Sequence, residues 1–288
     1  MRIPDNAFLS VKKFFADELN SLLDEGEIVI YFYLLAMHYL GKSKIALLSE
    51  PNFRLSESEL LHFTKAIKRI KNEEPIQYII GESEFMGINL KVNPSVLIPR
   101  PETEQLVELC LKENSNSVQK VIDICTGSGC IALALKHYRP TWNVSAIDND
   151  DDALITAKSN ADILKLDIEI FKADVLSNLK NTIQENFDLI TANPPYVLRR
   201  EADSMNNNVL KFEPHVALFV PDDDALLFYQ HILDFAANRL NKNGSIYLEI
   251  NEMKGKETLA LFDVNLFDEI KLIKDFNGKD RIVTAKRK

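Results

Sequence analysis

Val121-Ile122-Asp123-Ile124-Cys125-Thr126-Gly127-Ser128-Gly129-Cys130-Ile131-Ala132 decides the fold. An apolar run of strand length meets a glycine turn, and a helical pattern follows from Cys130 to about Tyr138. Glycines at such a turn let a ligand approach the backbone, and the first N–H groups of the helix lack intrahelical partners. A carboxylate or a phosphate suits that environment. The spacing is neither GxGxxG nor a phosphate loop with its lysine, so the turn alone is as well explained by structure as by binding.

Working outward, the chain keeps alternating. Residues 144–147, 168–171, 187–191 and 245–250 read as strands, and residues 151–164 and 225–240 as helices. Such alternation predicts an α/β fold with a parallel sheet and helices on both faces. Asn277-Gly278 lies between strand patterns at 270–274 and 282–285, a hairpin signal that makes the last strand antiparallel. Upstream, residues 1–74 carry helix-period apolar patterns. Phe8, Val11, Phe14, Phe15 and Leu19 form one, and Ser56 with Glu59 has the spacing of a capping box before another. A helical bundle of four or five helices is expected there. Residues 75–100 form an extended linker, with a β-rich run at Tyr78-Ile79-Ile80 and a hairpin around Phe85 to Val92. Pro101 opens a helix and a third region, 101–288, with Glu102 and Glu104 in the first turn.

Three features converge on the carboxyl ends of the predicted strands, where parallel sheets hold ligands. The glycine turn, Cys125 to Gly129, is one. Asp148 ends the second strand about 20 residues on, where an acid accepts from both hydroxyls of a ribose. Asp148, Asn149 and Asp150 all precede a helix, so capping and binding both have a candidate. Asp174 and Val175 end the third strand, placed for an adenine amino group and ring. The acceptor candidate is Asn193-Pro194-Pro195-Tyr196, after the fourth strand. Two prolines cannot continue a central strand. The Asn193 side-chain oxygen and the Pro194 carbonyl each accept one N–H of a planar NH2, and Tyr196 stacks on it. An amide nitrogen is a poor nucleophile, so fixing both N–H groups is the chemistry required. The Asn193 NH2 is expected to meet the cofactor.

The remaining composition narrows the class. Of 288 residues 46% are hydrophobic and 27% charged, which is ordinary for a globular chain. Residues 28–40 are too short and too interrupted to span a bilayer and read as a buried helix, and the N-terminal Met1-Arg2-Ile3-Pro4-Asp5 lacks a leader pattern, so a cytoplasmic protein without membrane attachment is expected. Cys110, Cys125 and Cys130 form no CxxC, and His38, His62, His137, His215 and His231 are scattered, so no metal site is expected. The formal net charge of −9 leans against nucleic acid and permits a basic protein partner.

These motifs resemble the HemK/PrmC family of protein-(glutamine-N5) methyltransferases. Pro75-Ile76-Gln77-Tyr78-Ile79-Ile80-Gly81 looks like the family's interdomain segment, and Val96-Leu97-Ile98-Pro99-Arg100-Pro101-Glu102-Thr103-Glu104 is close to a family signature. Phe212-Glu213-Pro214-His215-Val216-Ala217-Leu218 and Asp280-Arg281-Ile282-Val283 extend the match. The resemblance implies a class I, Rossmann-like methyltransferase sheet behind an N-terminal helical bundle that docks the substrate. It implies transfer of a methyl group from S-adenosyl-L-methionine to the glutamine of a Gly-Gly-Gln motif in a class-1 peptide chain release factor. Its cofactor positions fall on Cys125, Thr126, Gly127, Ser128, Gly129, Asp148, Val175 and Asn193, and its substrate positions on Asn193, Pro194, Pro195 and Tyr196. A large-subunit ribosomal protein is the alternative acceptor. An adenine-N6 DNA enzyme shares the Asn-Pro-Pro-Tyr motif but not the 96–104 signature, and a non-catalytic cofactor-binding scaffold has no need of an acceptor motif. Cys125 and Asn251 stand where the family usually has glycine, and Pro221-Asp222-Asp223-Asp224-Ala225 replaces a glycine-rich stretch. A Cβ at position 125 is expected to keep that residue at negative φ.

Overall fold

The computed structural model describes residues 3, 5–114, 119–177 and 179–288. Met1, Arg2 and Pro4, which entered the reading of the N-terminus, lie outside the described residues. The chain divides into two compact units, Met1–Gly81 with Asn207–Phe212, and Glu82–Asn206 with Glu213–Lys288.

The first unit is helical: α1 (Phe8–Leu19), α2 (Glu25–Leu40), α3 (Lys44–Ser49), α4 (Glu57–Lys71) and α5 (Ile76–Ile80). Its boundaries are written in side chains. Asp24 and Glu27 close a capping box on α2, Ser56 and Glu59 another on α4, and Gly41 ends α2 in the left-handed region at φ 62°. Buried Phe8, Val11, Phe15 and Leu19 line one face of α1. The Phe32 ring lies 5.3 Å from Phe8, 5.6 Å from Phe15 and 5.5 Å from Phe63 between centroids, and these contacts tie three helices together. The apolar stretch of α2 is buried on one face only, since Ile30 is exposed. Glu73 pairs with Lys211 and accepts from Asn207 Nδ2 within this unit. Tyr78-Ile79-Ile80 is helical rather than extended. Pro75 starts the turn, Gly81 stops it at φ 83°, and the Arg69 guanidinium donates to the carbonyls of Tyr78 and Ile79. These tertiary bonds outweigh the weak β preference of two isoleucines.

The second unit opens with a hairpin, β1 (Glu82–Phe85) and β2 (Ile88–Lys91), turned at Met86 and Gly87, both at positive φ. Then follow α6 (Pro101–Glu113), β3 (Lys120–Ile124), α7 (Cys130–Tyr138), β4 (Asn143–Asp148), α8 (Asp151–Leu164), β5 (Glu169–Lys172), α9 (Leu179–Thr182) and β6 (Phe187–Ala192). Short β7 (Val197–Leu198) and β8 (Phe219–Val220) pair with each other on either side of α10 (Asn207–Phe212), the segment grouped with the helical unit. The unit ends with α11 (Leu227–Arg239), β9 (Leu240–Glu249), α12 (Gly255–Leu259), β10 (Phe267–Lys274) and β11 (Asp280–Arg287).

Seven strands form one sheet in the order β10-β11-β9-β6-β3-β4-β5. From β9 to β5 all neighbours are parallel, and β11 is antiparallel to both β9 and β10. The inner strands β3, β4 and β6 are buried almost throughout, as cover by helices on both faces requires, whereas edge strand β5 has no fully buried residue. Trp142, the only tryptophan, is fully buried among side chains of α6, α7 and β4, with the Arg139 guanidinium 5.9 Å from its ring centroid. The chain builds β4 and β5 on one side of β3, then returns to place β6 on the other. Connections therefore leave β3 and β6 in opposite directions, and a crevice opens at their carboxyl ends. No helix of the described residues is long and apolar enough to cross a membrane.

Candidate active site

That crevice encloses about 900 Å³ counting its open mouth. Its wall includes Cys125, Thr126, Gly127 and Ser128 after β3, Asp148 at the end of β4, Asp174 and Val175 after β5, and Asn193 and Pro195 after β6. Ser95, Val96, Leu97, Pro99, Arg100 and Thr103 close another side. Gly129, Pro194 and Tyr196 do not line it.

The glycine turn is pinned from beneath. Thr126 N donates to Ile147 O at 3.0 Å and Gly127 N to Asp148 Oδ2 at 2.9 Å. Buried Asp123 accepts from the hydroxyls of Thr126 (2.7 Å) and Thr191 (2.8 Å), tying the ends of β3 and β6. Burial pushes the Asp123 carboxyl up to about 7, against the lowering effect of those two bonds. With both flanks fixed, the backbone reverses through left-handed residues at 125, 127 and 129. Cys125 sits at φ 61°, so the expectation of a negative φ is overturned. The hydrogen bonds of its neighbours override a preference that costs an L-residue about 1–3 kcal/mol. Burial, then Asp148 and Asp123 nearby, push its thiol pKa well above its ordinary value, which disfavours the thiolate a nucleophile needs. Gly129 caps α7 at φ 83°, where a Cβ would come within 3.0 Å of Leu133.

The three residues before α8 divide their tasks. Asp150 is the cap, accepting from Ala153 N at 2.8 Å. Asp148 turns inward, its Oδ1 accepting from Asp150 N at 3.1 Å. Burial raises its pKa, opposed by backbone N–H bonds from Gly127 and Asp150. Backbone N–H groups of Gly127 and Asp150 each hold one of its oxygens, that of Asn149 also favours the charged form, and the carboxylate still lines the crevice. Asp174 accepts from Leu176 N at 2.9 Å through Oδ1 and caps its own turn, and Val175 packs into the core beside β3 and β6. A mostly apolar cleft with a buried acid, a glycine turn and a helix N-terminus suits a nucleoside carrying a charged tail.

The acceptor segment is anchored outward. Tyr196 N donates to Leu218 O, and Asn251 Nδ2 donates to Tyr196 O at 3.1 Å. Asn251, one of the departures, thus braces the turn. The Tyr196 hydroxyl donates to Glu249 Oε1 at 3.0 Å, away from the crevice wall. Asn193 Nδ2 lies 3.2 Å from Thr103 Oγ1. Thr103 Oγ1 in turn donates to Glu249 Oε2 at 2.6 Å. Glu213, almost fully buried, pairs with Arg100 and accepts from Ile98 N, which fixes residues 96–104 against the crevice. Sequence reasoning gave no role to Thr103, Asp123, Glu213 or Glu249. A lone acid inside an apolar strand, as in Leu248-Glu249-Ile250, was the available signal. Among the described residues no cluster has metal-ligand character.

Two family models match the chain: the PrmC N-terminal domain over residues 21–81 and the Methyltransferase small domain over residues 102–212. The release factor glutamine methyltransferase of Flavobacterium psychrophilum is 41% identical over 273 residues, covering 93% of this chain and 95% of that one. The Bacteroides thetaiotaomicron protein of the same name is 37% identical, covering 96% and 99%. The chain belongs to the release factor glutamine methyltransferase family. It is therefore a glutamine methyltransferase, and both its α/β class I methyltransferase sheet and its helical N-terminal region have family counterparts. Among solved structures, a methyltransferase from Pyrococcus furiosus superposes with a TM-score of 0.53 at 18% identity, over 78% of this chain and 98% of that one. A Thermus thermophilus 16S rRNA methyltransferase solved with AdoMet and guanosine gives 0.50 at 17% identity, over 72% and 50%. These two are likenesses of fold.

Proposed function

We propose that this chain transfers a methyl group from S-adenosyl-L-methionine to the side-chain amide nitrogen of the glutamine in the Gly-Gly-Gln motif of a class-1 peptide chain release factor. The observation that carries it is that Asn193 and Pro195 of the acceptor turn line the same crevice as residues 125–128 of the glycine turn and Asp148. When bound, the cofactor supplies a methyl group on a positively charged sulfur. The chain's own residues do the rest. Asp148 accepts from the ribose hydroxyls, Asp174 and Val175 take the adenine, and the 125–129 turn passes backbone close to the tail. The Asn193 oxygen and the Pro194 carbonyl accept the two N–H groups of the glutamine amide. That fixes a weak nucleophile in line with the methyl group, and positioning of this kind is worth about 7–11 kcal/mol in favourable cases. Pro195 and the braced Tyr196 keep the turn stiff. The nitrogen becomes acidic once methylated and loses its proton to water, so no strong base is needed.

The test is direct. Purified protein, labelled cofactor and an intact release factor should give one labelled peptide containing the Gly-Gly-Gln glutamine, identified by mass. A short Gly-Gly-Gln peptide should be methylated far more slowly, because the helical unit supplies docking surface in this reading. Label confined to a large-subunit ribosomal protein or to adenine in DNA would overturn the assignment.

A further inference from the structure

Glu249 and Thr103 form a buried polar pair behind the acceptor turn; Thr103 is 2% exposed and Glu249 1%. They come from different places: Thr103 is in the first turn of α6, and Glu249 ends β9. Asn193 follows β6, and hydrogen bonds join the three. A carboxylate has no hydrogen to give. At Glu249 both oxygens are occupied by hydroxyl donors, Thr103 at 2.6 Å and Tyr196 at 3.0 Å. Burial raises the pKa of this acid, but the same two bonds and the nearby Arg281 favour its charged form. Thr103 owns a single hydroxyl hydrogen, and Glu249 takes it. Toward Asn193 the threonine then offers lone pairs only. The Asn193 atom beside it has to be the NH2, and the carboxamide oxygen is left facing the crevice.

We infer that Glu249, acting through Thr103, fixes the polarity of the Asn193 carboxamide so that its oxygen, and not its NH2, is presented to the incoming substrate. Side-chain amides have nearly equal ends, and without such a relay Asn193 rotates freely between an acceptor and a donor. A donor presented to a substrate NH2 repels it. The orientation rests on the hydrogen bonds alone, and its catalytic consequence rests on the glutamine amide being the methyl acceptor. Thr103 and Glu249 are positioning residues, because neither donates to nor accepts from the substrate in this arrangement.

The experiment has two arms on the full chain. The first follows the Asn193 side-chain NH2 by nitrogen-15 NMR, its signal assigned by its absence from N193A. In wild type one of the two protons should exchange with water about ten-fold more slowly than the other, the scale of one intramolecular hydrogen bond. T103S, which keeps the hydroxyl, should preserve the difference. T103V, of nearly the same shape without it, should abolish it. E249L leaves the Thr103 hydrogen free to turn toward the Asn193 oxygen and should abolish it too. Unchanged backbone spectra certify the folds. The second arm measures methyl transfer to intact release factor: kcat about ten-fold lower in T103V at similar KM, and mostly restored in T103S. Equal exchange in wild type and T103V overturns the relay. Lost protection with unchanged kcat overturns its use in positioning. A protected proton in wild type that is lost in T103V, with no transfer to release factor by any variant, would leave the orientation standing and remove the assigned acceptor instead.

Discussion

Replacing Asp148 tests the cofactor side of the crevice most sharply. Its two oxygens each hold one backbone N–H, from Gly127 and from Asp150. In the proposed function the same carboxylate also accepts from the two ribose hydroxyls. A hydrogen bond to a charged group contributes about 1.5–3 kcal/mol, so the pair sums to about 3–6 kcal/mol before the cost of drying a largely buried carboxylate further. A net loss of about 2–4 kcal/mol is expected for Asp148→Ala, which is about a 30- to 900-fold weaker Kd. Asp148→Asn should be no gentler. Its NH2 opposes either the Gly127 or the Asp150 N–H, so the substitution turns a bond into a donor–donor clash whichever way the amide points. Titration calorimetry with S-adenosyl-L-methionine measures both variants, and thermal unfolding checks the fold. Because burial raises the Asp148 pKa, wild-type affinity should also fall on acidification through that pKa, as the carboxylate gains a proton. A folded Asp148→Asn that binds within about three-fold of wild type would refute the reasoning, since about 0.7 kcal/mol leaves no room for two such bonds.

Asn193→Ala should lower kcat for methyl transfer by about 10²-fold, the scale of losing one preorganised polar group. Asn193→Asp should keep substrate binding while turnover falls, and full turnover in both variants would return the segment to a purely structural turn. Asp123 supplies a pH test. Its folded pKa of about 7 exceeds the ordinary 3.8, so the folded state holds the proton more tightly. Stability referable to this group therefore declines as pH rises from about 4 to about 7. Urea unfolding at pH 5 and pH 8 should show wild type losing more stability than Asp123→Asn, and parallel behaviour would count against a burial-raised acid. Glu213→Ala strips Arg100 and Ile98 N of their partner. Breaking a buried pair costs about 3–5 kcal/mol, discounted to about 2 kcal/mol because a third of the Arg100 side chain is exposed. An unchanged urea midpoint would remove Glu213 from that role.

The alternation of apolar strands and amphipathic helices made the sheet legible, because period and turn chemistry are local. The α8 boundaries follow from the cap at Asp150 and the apolar spacing behind it. Tyr78-Ile80 was misread because its conformation is decided by Arg69, nine residues and more upstream, and by the stop at Gly81. Cys125 was misread for a similar reason: a single-residue preference was weighed without the bonds at Thr126 and Gly127 that set the turn. The part of the crevice wall that follows β3, β4, β5 and β6 could be assembled from strand ends, but the side closed by Ser95 to Thr103 could not. What the chain did not announce is the layer beneath. Thr103, Glu213 and Glu249 lie 90, 115 and 53 positions from the groups they bond. Such pairings are products of topology, and the one local mark, an acid set between Leu248 and Ile250, does not name its partners.

The solitary Trp142 gives this molecule a built-in reporter with a restricted field of view. Its indole lies wholly inside the sheet-bearing unit, and the helical unit has tyrosines but no tryptophan. Excitation at the red edge of the protein absorption band therefore watches only one of the two bodies melt, while far-ultraviolet circular dichroism watches both. Superimposable curves mean the halves unfold as one cooperative block. Separated curves give the order in which they let go, from a single untagged sample.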